Sequence, residues 1–188
     1  MSGDGVQAYD LIVIGGGPAG IVGATTAASF GKTVALIDNH HELGGAGANT
    51  GTVPSKTLRE TALALSGMRS RNLYGVDLSL RRQATVADLM YHERAVKTAL
   101  NESLAARMRD TVTTVIEGTA EFESPNLVRV RGTLLRGENI MVATGSSPVR
   151  PPNFPFGSAE VYDSDTILEL DRLISHETPP TLNNTLAI

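Results

Sequence analysis

Gly15, Gly17 and Gly20 stand in the spacing Gly-x-Gly-x-x-Gly directly behind the apolar run Tyr-Asp-Leu-Ile-Val-Ile at residues 9–14. Glycines so placed can bring main-chain N–H groups against a phosphate. The first makes the tight turn off a strand, and the second leaves no Cβ in the path of a pyrophosphate. The third lets the helix that opens at Pro18 and Ala19 press on the strand. A helix N-terminus at this point offers unpaired N–H groups and a dipole that favours negative charge. Asp38 closes the next apolar run, placed to accept hydrogen bonds from the ribose hydroxyls of an adenosine, and Asn39 beside it is counted with the same site. FAD and NAD share that ribose, so the acid indicates a dinucleotide without choosing between them. A 2′-phosphate would be repelled by the carboxylate and no arginine follows closely, which disfavours NADP here. The glycines alone also make ordinary turns; the order of strand, turn, helix, strand and acid is what gives them weight. His40 and His41 read as a solvated loop.

The elements that must position these residues are those of an α/β fold. A helix is expected over 18–30, built from small residues such as Ala24, Ala27 and Ala28 and closed by Gly31. The run 33–37 is continuously apolar, as in a strand buried on both faces of a parallel sheet. Pro54 opens a second helix with Leu58, Ala62 and Leu65 on one face, and a polar loop with Asn72, Gly75 and Asp77 follows. Val86, Leu89, Val96, Leu100, Leu104 and Met108 recur at helical spacing and predict a long helix over 86–108. Beyond it the period shortens. Segments 112–116, 119–122, 127–131 and 133–136 predict a parallel strand followed by a small antiparallel meander. A buried strand over 139–143 then ends in Thr144, Gly145 and Ser146. Prolines 148, 151, 152 and 155 deny regular structure to a linker, a short helix over 163–173 is capped by Asp163 or Ser164, and residues 186–188 read as a strand beginning. The expected architecture is a Rossmann-like doubly wound parallel sheet with an antiparallel β-meander, divided into 1–147 and 148–188.

Composition narrows the function classes. A hydrophobic content of 41% is that of a globular protein, and a net charge of −4 provides neither a basic field for nucleic acid nor a polybasic anchor for a membrane. Residues 1–8 lack the basic region and apolar run of a signal peptide, and no stretch reaches the length of a membrane span, so a cytoplasmic location is expected. There is no cysteine, which excludes a disulfide, a thiolate nucleophile or a cysteine metal site within these residues. His92 and His176 have no acid or nucleophile at a telling spacing and read as surface residues.

Four widely spaced motifs, IGGGPAG at 14–20, LGGAGANTGTVPSKTL at 43–58, EGTAEF at 117–122 and VATGSSP at 142–148, together resemble the flavoprotein pyridine nucleotide-disulfide oxidoreductases in family order. The resemblance implies FAD at the first site. It implies that Gly44 and Gly45 let the backbone pass close to the diphosphate and ribityl chain, and that Lys56 lies near the flavin N5 edge, where an ammonium stabilises negative charge. A solvated helix-surface lysine is the alternative for Lys56. Ala120 would bring backbone groups against the adenine, its alternative being an ordinary strand alanine; Ala143, Thr144, Gly145 and Ser146 would pass under the cofactor. Family members that reduce disulfides carry cysteines where Gly47 and Thr52 stand here. Thiol–disulfide exchange needs an attacking thiolate and a second sulfur, which excludes that branch.

With Thr52 counted among the cofactor residues, the stretch 51–56 and the later 162–168 resemble the flavin-dependent transhydrogenase branch. There a hydride passes between NADH or NADPH and an oxidised nucleotide through flavin, and the net reaction demands no cysteine. Gly47 departs from that branch, in which a cysteine is expected. The resemblance covers the N-terminal third to half of such an enzyme, whose NAD(P) domain and dimerisation domain would follow and whose full-length form would be a homodimer. Weak or no flavin retention is expected of these residues by themselves. Three other readings stay open: an FAD-binding module without turnover, a degenerate dihydrolipoamide dehydrogenase-like protein, and an NAD-binding domain of a different enzyme. Lys56 and Thr144-Gly145 argue against the last.

Overall fold

The computed structural model describes residues 6–70, 85–111, 113–158 and 161–170, with 65–70 as backbone only. Residues 72, 75, 77, 176 and 186–188, for which a loop, a surface histidine and a strand are expected, lie outside the described residues. The chain forms two compact units, Met1–Asn49 with Ala99–Ser146, and Thr50–Thr98 with Ser147–Ile188.

The first unit is organised by one six-stranded sheet. Strands β1 (Gln7–Ile14), β2 (Val34–Asp38) and β3 (Thr114–Glu117) are parallel, and β4 (Glu121–Ser124), β5 (Leu127–Val130) and β6 (Thr133–Val142) form the meander. The order is β3-β2-β1-β6-β5-β4, with β6 parallel to β1. The Rossmann-like α/β fold expected from the sequence is the one observed.

Apolar residues fill both faces of the central strands because each is covered. Val13 and Leu36 join Ile21 and Ala24 of helix α1 (Pro18–Ser29) and Met108 of helix α4 (Val86–Asp110) on one side. Their strand neighbours Ile12, Ala35 and Ile37 meet Val128, Val130 and Leu135 of the meander on the other. Burying a side chain such as Leu36 contributes about 1.5–3 kcal/mol. Helix α1 ends in a Schellman closure, with the Gly31 N–H donating to Ala28 O, the Lys32 N–H to Ala27 O, and Gly31 at φ 75°. Asp10 staples β1 to the start of β2: its carboxylate accepts the Thr33 hydroxyl and N–H and the Lys32 ammonium. Those bonds, the Thr33 hydroxyl foremost, hold its pKa far below the usual carboxylate range.

Several expectations are corrected. The two segments 133–136 and 139–143 are one strand, β6, because pairing with β1 runs through Gly137, whose N–H donates to Asn126 O. The glycine-rich stretch, for which no element is expected from the sequence, holds a short helix, α2 (Gly45–Asn49). On α4 the deeply buried residues are Val86, Met90, Glu93 and Met108, whereas Leu89, Val96, Leu100 and Leu104 are half-buried, so the covered stripe is rotated from the apolar one.

In the second unit, helix α3 (Thr52–Ser70) begins two residues before Pro54, which therefore sits in the first turn, where its missing N–H costs nothing. Its buried positions are Pro54 and Thr57, Leu58 is half-buried and Ala62 is exposed; Leu65 falls among the residues described as backbone only. Of the helix expected over 163–173, residues 171–173 lie outside the described residues; in the described part a single 3-10 turn spans Thr166–Glu169, and Leu170 leaves it in an extended conformation at ψ 126°. Asp163 does cap the turn, accepting the N–H groups of Asp165 and Thr166.

Candidate functional site

The loops that follow β1, β2 and β6 converge at the carboxyl ends of these parallel strands. Between β1 and β6 the winding of the sheet reverses, the place where open α/β sheets bind ligands. The Gly15 N–H donates to Ile37 O (2.8 Å), Ala143 N–H to Ile14 O (2.8 Å) and Gly44 N–H to Gly16 O (2.7 Å), so three loops are stitched into one crevice floor. Gly15 is at φ 110°, and a Cβ there would lie 2.2 Å from Ala143 O; only glycine makes this turn. At Gly20 a Cβ would stand 1.8 Å from Gly15 O, so packing of helix on strand requires its absence.

Gly17 differs from both. It is the N-cap of α1 at φ −75° and ψ −178°, a conformation open to any residue, and a Cβ there would approach nothing closer than Gly45 Cα at 3.9 Å. Neither the backbone nor the packing of this chain demands a glycine at that position. A phosphate seated on the N–H groups of the first turn of α1 does, and the side of Gly17 left open is where it would lie. Pro18 and Ala19 continue that turn with exposed side chains. Across the crevice, Gly45 at φ 52° faces Gly17, and a Cβ on it would sit 2.9 Å from Gly17 Cα. The residues present thus fit a dinucleotide diphosphate.

Asp38 ends β2 with a carboxylate that is largely covered. Its Oδ2 accepts the Gly16 N–H and its Oδ1 the His40 N–H (2.7 Å), so the acid is fixed to the glycine loop by main-chain donors. Asn39 is exposed beside it. On the adjoining strand Glu117 pairs in register with Asp38, and the Gly118 N–H donates to Asp38 O (2.7 Å). Ala120 is half-buried against the core of the meander face. Thr144, Gly145 at φ 71° and Ser146 run from the end of β6 as exposed irregular chain. Every sequence-derived site residue except Thr52 and Lys56 lies in this unit. Those two stand on α3 in the other unit with exposed side chains.

Three features escape sequence reasoning. Asn49, at the end of α2, donates to Glu42 O (3.3 Å) and Leu43 O (3.1 Å) and accepts from Asn101 of α4 (3.0 Å), which closes the loop carrying Gly44 and Gly45. The Asn101 Oδ1 is buried without a partner among the described residues. At Gly47 a Cβ would come 2.9 Å from Pro18 Cγ, so a side chain there needs the proline ring to move. His41, exposed as expected of a loop residue, nevertheless meets Glu117 Oε2 at 3.2 Å, and Arg131 meets Glu117 Oε1 at 2.7 Å. The His41 hydrogen bond first, then the Arg131 charge, draws the Glu117 pKa below its ordinary value. The two partners are 76 and 14 residues away along the chain, and no local signal announces them. Among the described residues no cluster of three or more His, Asp or Glu could hold a metal, and no helix is long and apolar enough to cross a membrane.

Fold and crevice are those of a Rossmann-like dinucleotide-binding unit, and the chain belongs to the pyridine nucleotide-disulphide oxidoreductase family, whose model matches residues 9–188. It is 37% identical over 176 residues to a soluble pyridine nucleotide transhydrogenase of Mycobacterium bovis, covering 90% of this chain and 38% of that one. A protein of the same name from Colwellia psychrerythraea is 34% identical, with 89% and 37% covered. Among solved structures, the HOCl-induced flavoprotein disulfide reductase RclA from Escherichia coli superposes with a TM-score of 0.72 at 30% identity, over 88% of this chain and 35% of that one. The chain therefore spans under two fifths of the length of these relatives. Members of the family bind FAD and NAD(P).

Proposed function

We propose that this chain supplies the FAD-binding part of a flavin-dependent pyridine nucleotide oxidoreductase of the transhydrogenase type. The observation that carries the reading is Gly17, a glycine that neither fold nor packing requires, at a helix N-terminus in the crevice of the switch point. In this reading the first-turn N–H groups of α1 bind the diphosphate, with Gly44 and Gly45 closing on it from the opposite loop. Asp38 accepts from the adenosine ribose, Asn39 flanks it, and the backbone at Ala120 meets the adenine. Ala143, Thr144, Gly145 and Ser146 support the cofactor from below. Lys56 and Thr52 belong to the flavin edge, Lys56 as a cation that stabilises negative charge there. FAD, when bound, supplies the two-electron relay that no side chain of a cysteine-free sequence can offer. The identity to the transhydrogenases supports that branch over the disulfide-reducing one, as does threonine in place of the second sulfur at residue 52. NAD(P) as partner nucleotide, a cytoplasmic location and a dimeric whole enzyme belong to the same reading.

Calorimetric titration of the purified chain with ADP and with FAD tests the site. Saturable one-to-one binding of both, with a shifted flavin absorption band for FAD, is expected even where flavin is lost during purification. Failure of both nucleotides to bind at millimolar concentration would remove the reading.

A further inference from the structure

Arg131 occupies a turn that another residue would make more easily. β5 and β6 are joined by Arg131 and Gly132, both at positive φ (47° and 83°), the twist of a type I′ hairpin turn whose first central position suits Asn, Asp or Gly. Arg131 is the single non-glycine at positive φ among the described residues. Its side chain reaches the end of β3: Cγ and Nε lie 3.2 and 3.5 Å from where a Cβ of Gly118 would stand, and Nη2 donates to Glu117 Oε1 at 2.7 Å. Glu117 is also the register partner of Asp38, and its second oxygen meets His41. One carboxylate thus ties the β5–β6 turn and the loop after β2 to the strand end beside the ribose acid. The Arg131 and Glu117 side chains are 66% and 44% exposed, and an ion pair so exposed contributes little, which does not offset a left-handed arginine. Stability therefore gives no reason for arginine here.

We propose that Arg131, held by Glu117 across Gly118, is a recognition residue for the adenine of the bound dinucleotide, its planar guanidinium lying against the base. The inference rests on the FAD reading of the crevice. An adenine laid along 118–120 meets a delocalised cation whose flat face suits a purine, and whose orientation the Glu117 bond sets in advance. Neither lysine nor asparagine offers that face.

The test is titration of the full chain and of Arg131→Asn with FAD and with ADP, together with thermal melts of both proteins without nucleotide. Asparagine suits the turn better than arginine, so the variant is expected to melt at or above the wild-type temperature while its affinity for both nucleotides falls roughly tenfold, the scale of one stacking contact on a base. Arg131→Gly, equally free in this conformation, should behave alike. Wild-type affinity in these variants would overturn the role of Arg131 and leave the FAD site standing. If the wild-type chain binds neither nucleotide, the crevice reading fails and this inference falls with it.

Discussion

Replacing Gly17 with alanine separates ligand from fold, because its two effects on the empty protein are small and opposed. Alanine restricts the unfolded chain, which stabilises by about 0.4–1 kcal/mol where the native conformation accepts it, as φ −75° does. It is also a poorer N-cap than glycine, at a cost of about 0.5–1.5 kcal/mol. The sum lies within about 1 kcal/mol of zero, a shift in melting temperature of no more than about 2–4 °C for a chain of this size. Nothing stands within 3.9 Å of the new methyl to be displaced. Binding is another matter. In the proposed binding mode a methyl on the open side of Gly17 would occupy the approach of the diphosphate, and losing one charge-assisted hydrogen bond costs about 1.5–3 kcal/mol. That corresponds to about ten- to 150-fold in Kd. Calorimetric titration of Gly17→Ala with ADP and FAD, beside differential scanning of the nucleotide-free protein, measures both quantities. An unchanged melt with unchanged affinity would refute the placement of the diphosphate at α1. Gly20→Ala is the counterpart: its Cβ would lie 1.8 Å from Gly15 O, a backbone atom that no rotamer change moves. It should lose about 3 kcal/mol or more, roughly 6–12 °C.

Further outcomes follow from the same contacts. Asn49→Ala strands the Asn101 amide and the Leu43 carbonyl that Asn49 now satisfies, so its urea midpoint should fall by the equivalent of about 1–3 kcal/mol; an unchanged midpoint would show that α2 does not depend on this amide. In the second unit the Thr166 amide, followed by the Arg150 guanidinium, lowers the Asp163 carboxyl to about 2, below its unfolded value. Its stabilisation is therefore complete above pH ~4 and lost as pH falls through about 2. Asp163→Asn, which keeps the capping oxygen but not the charge, should melt below the wild type at pH 7 and converge with it near pH ~2. A gap independent of pH would assign the effect to something other than charge.

How far the sequence reached depends on distance along the chain. The run 9–14, the glycine turn, the small-residue helix closed at Gly31 and the strand ending at Asp38 were legible because each is specified by neighbours: apolar continuity, glycine stereochemistry and a terminal acid. The meander was legible as short extended segments, but not the continuity of β6. Gly137 reads locally as a break, and only pairing with β1 along residues 7–14 carries the strand through it. Helix α2 was illegible for the same reason. Gly-Ala-Gly-Ala-Asn has poor intrinsic helicity, and Asn49 closes its end through bonds that include one from Asn101, 52 residues away. The sequence by itself determined the glycine turn behind the first strand, the fold class and the lack of cysteine within these residues, since these follow from residue type and local spacing. Only the tertiary structure decided which glycine is spare to the fold, and that Glu117 gathers His41 and Arg131 beside Asp38. Those facts depend on where distant strands end, and a sheet sets strand ends by register between segments rather than within them.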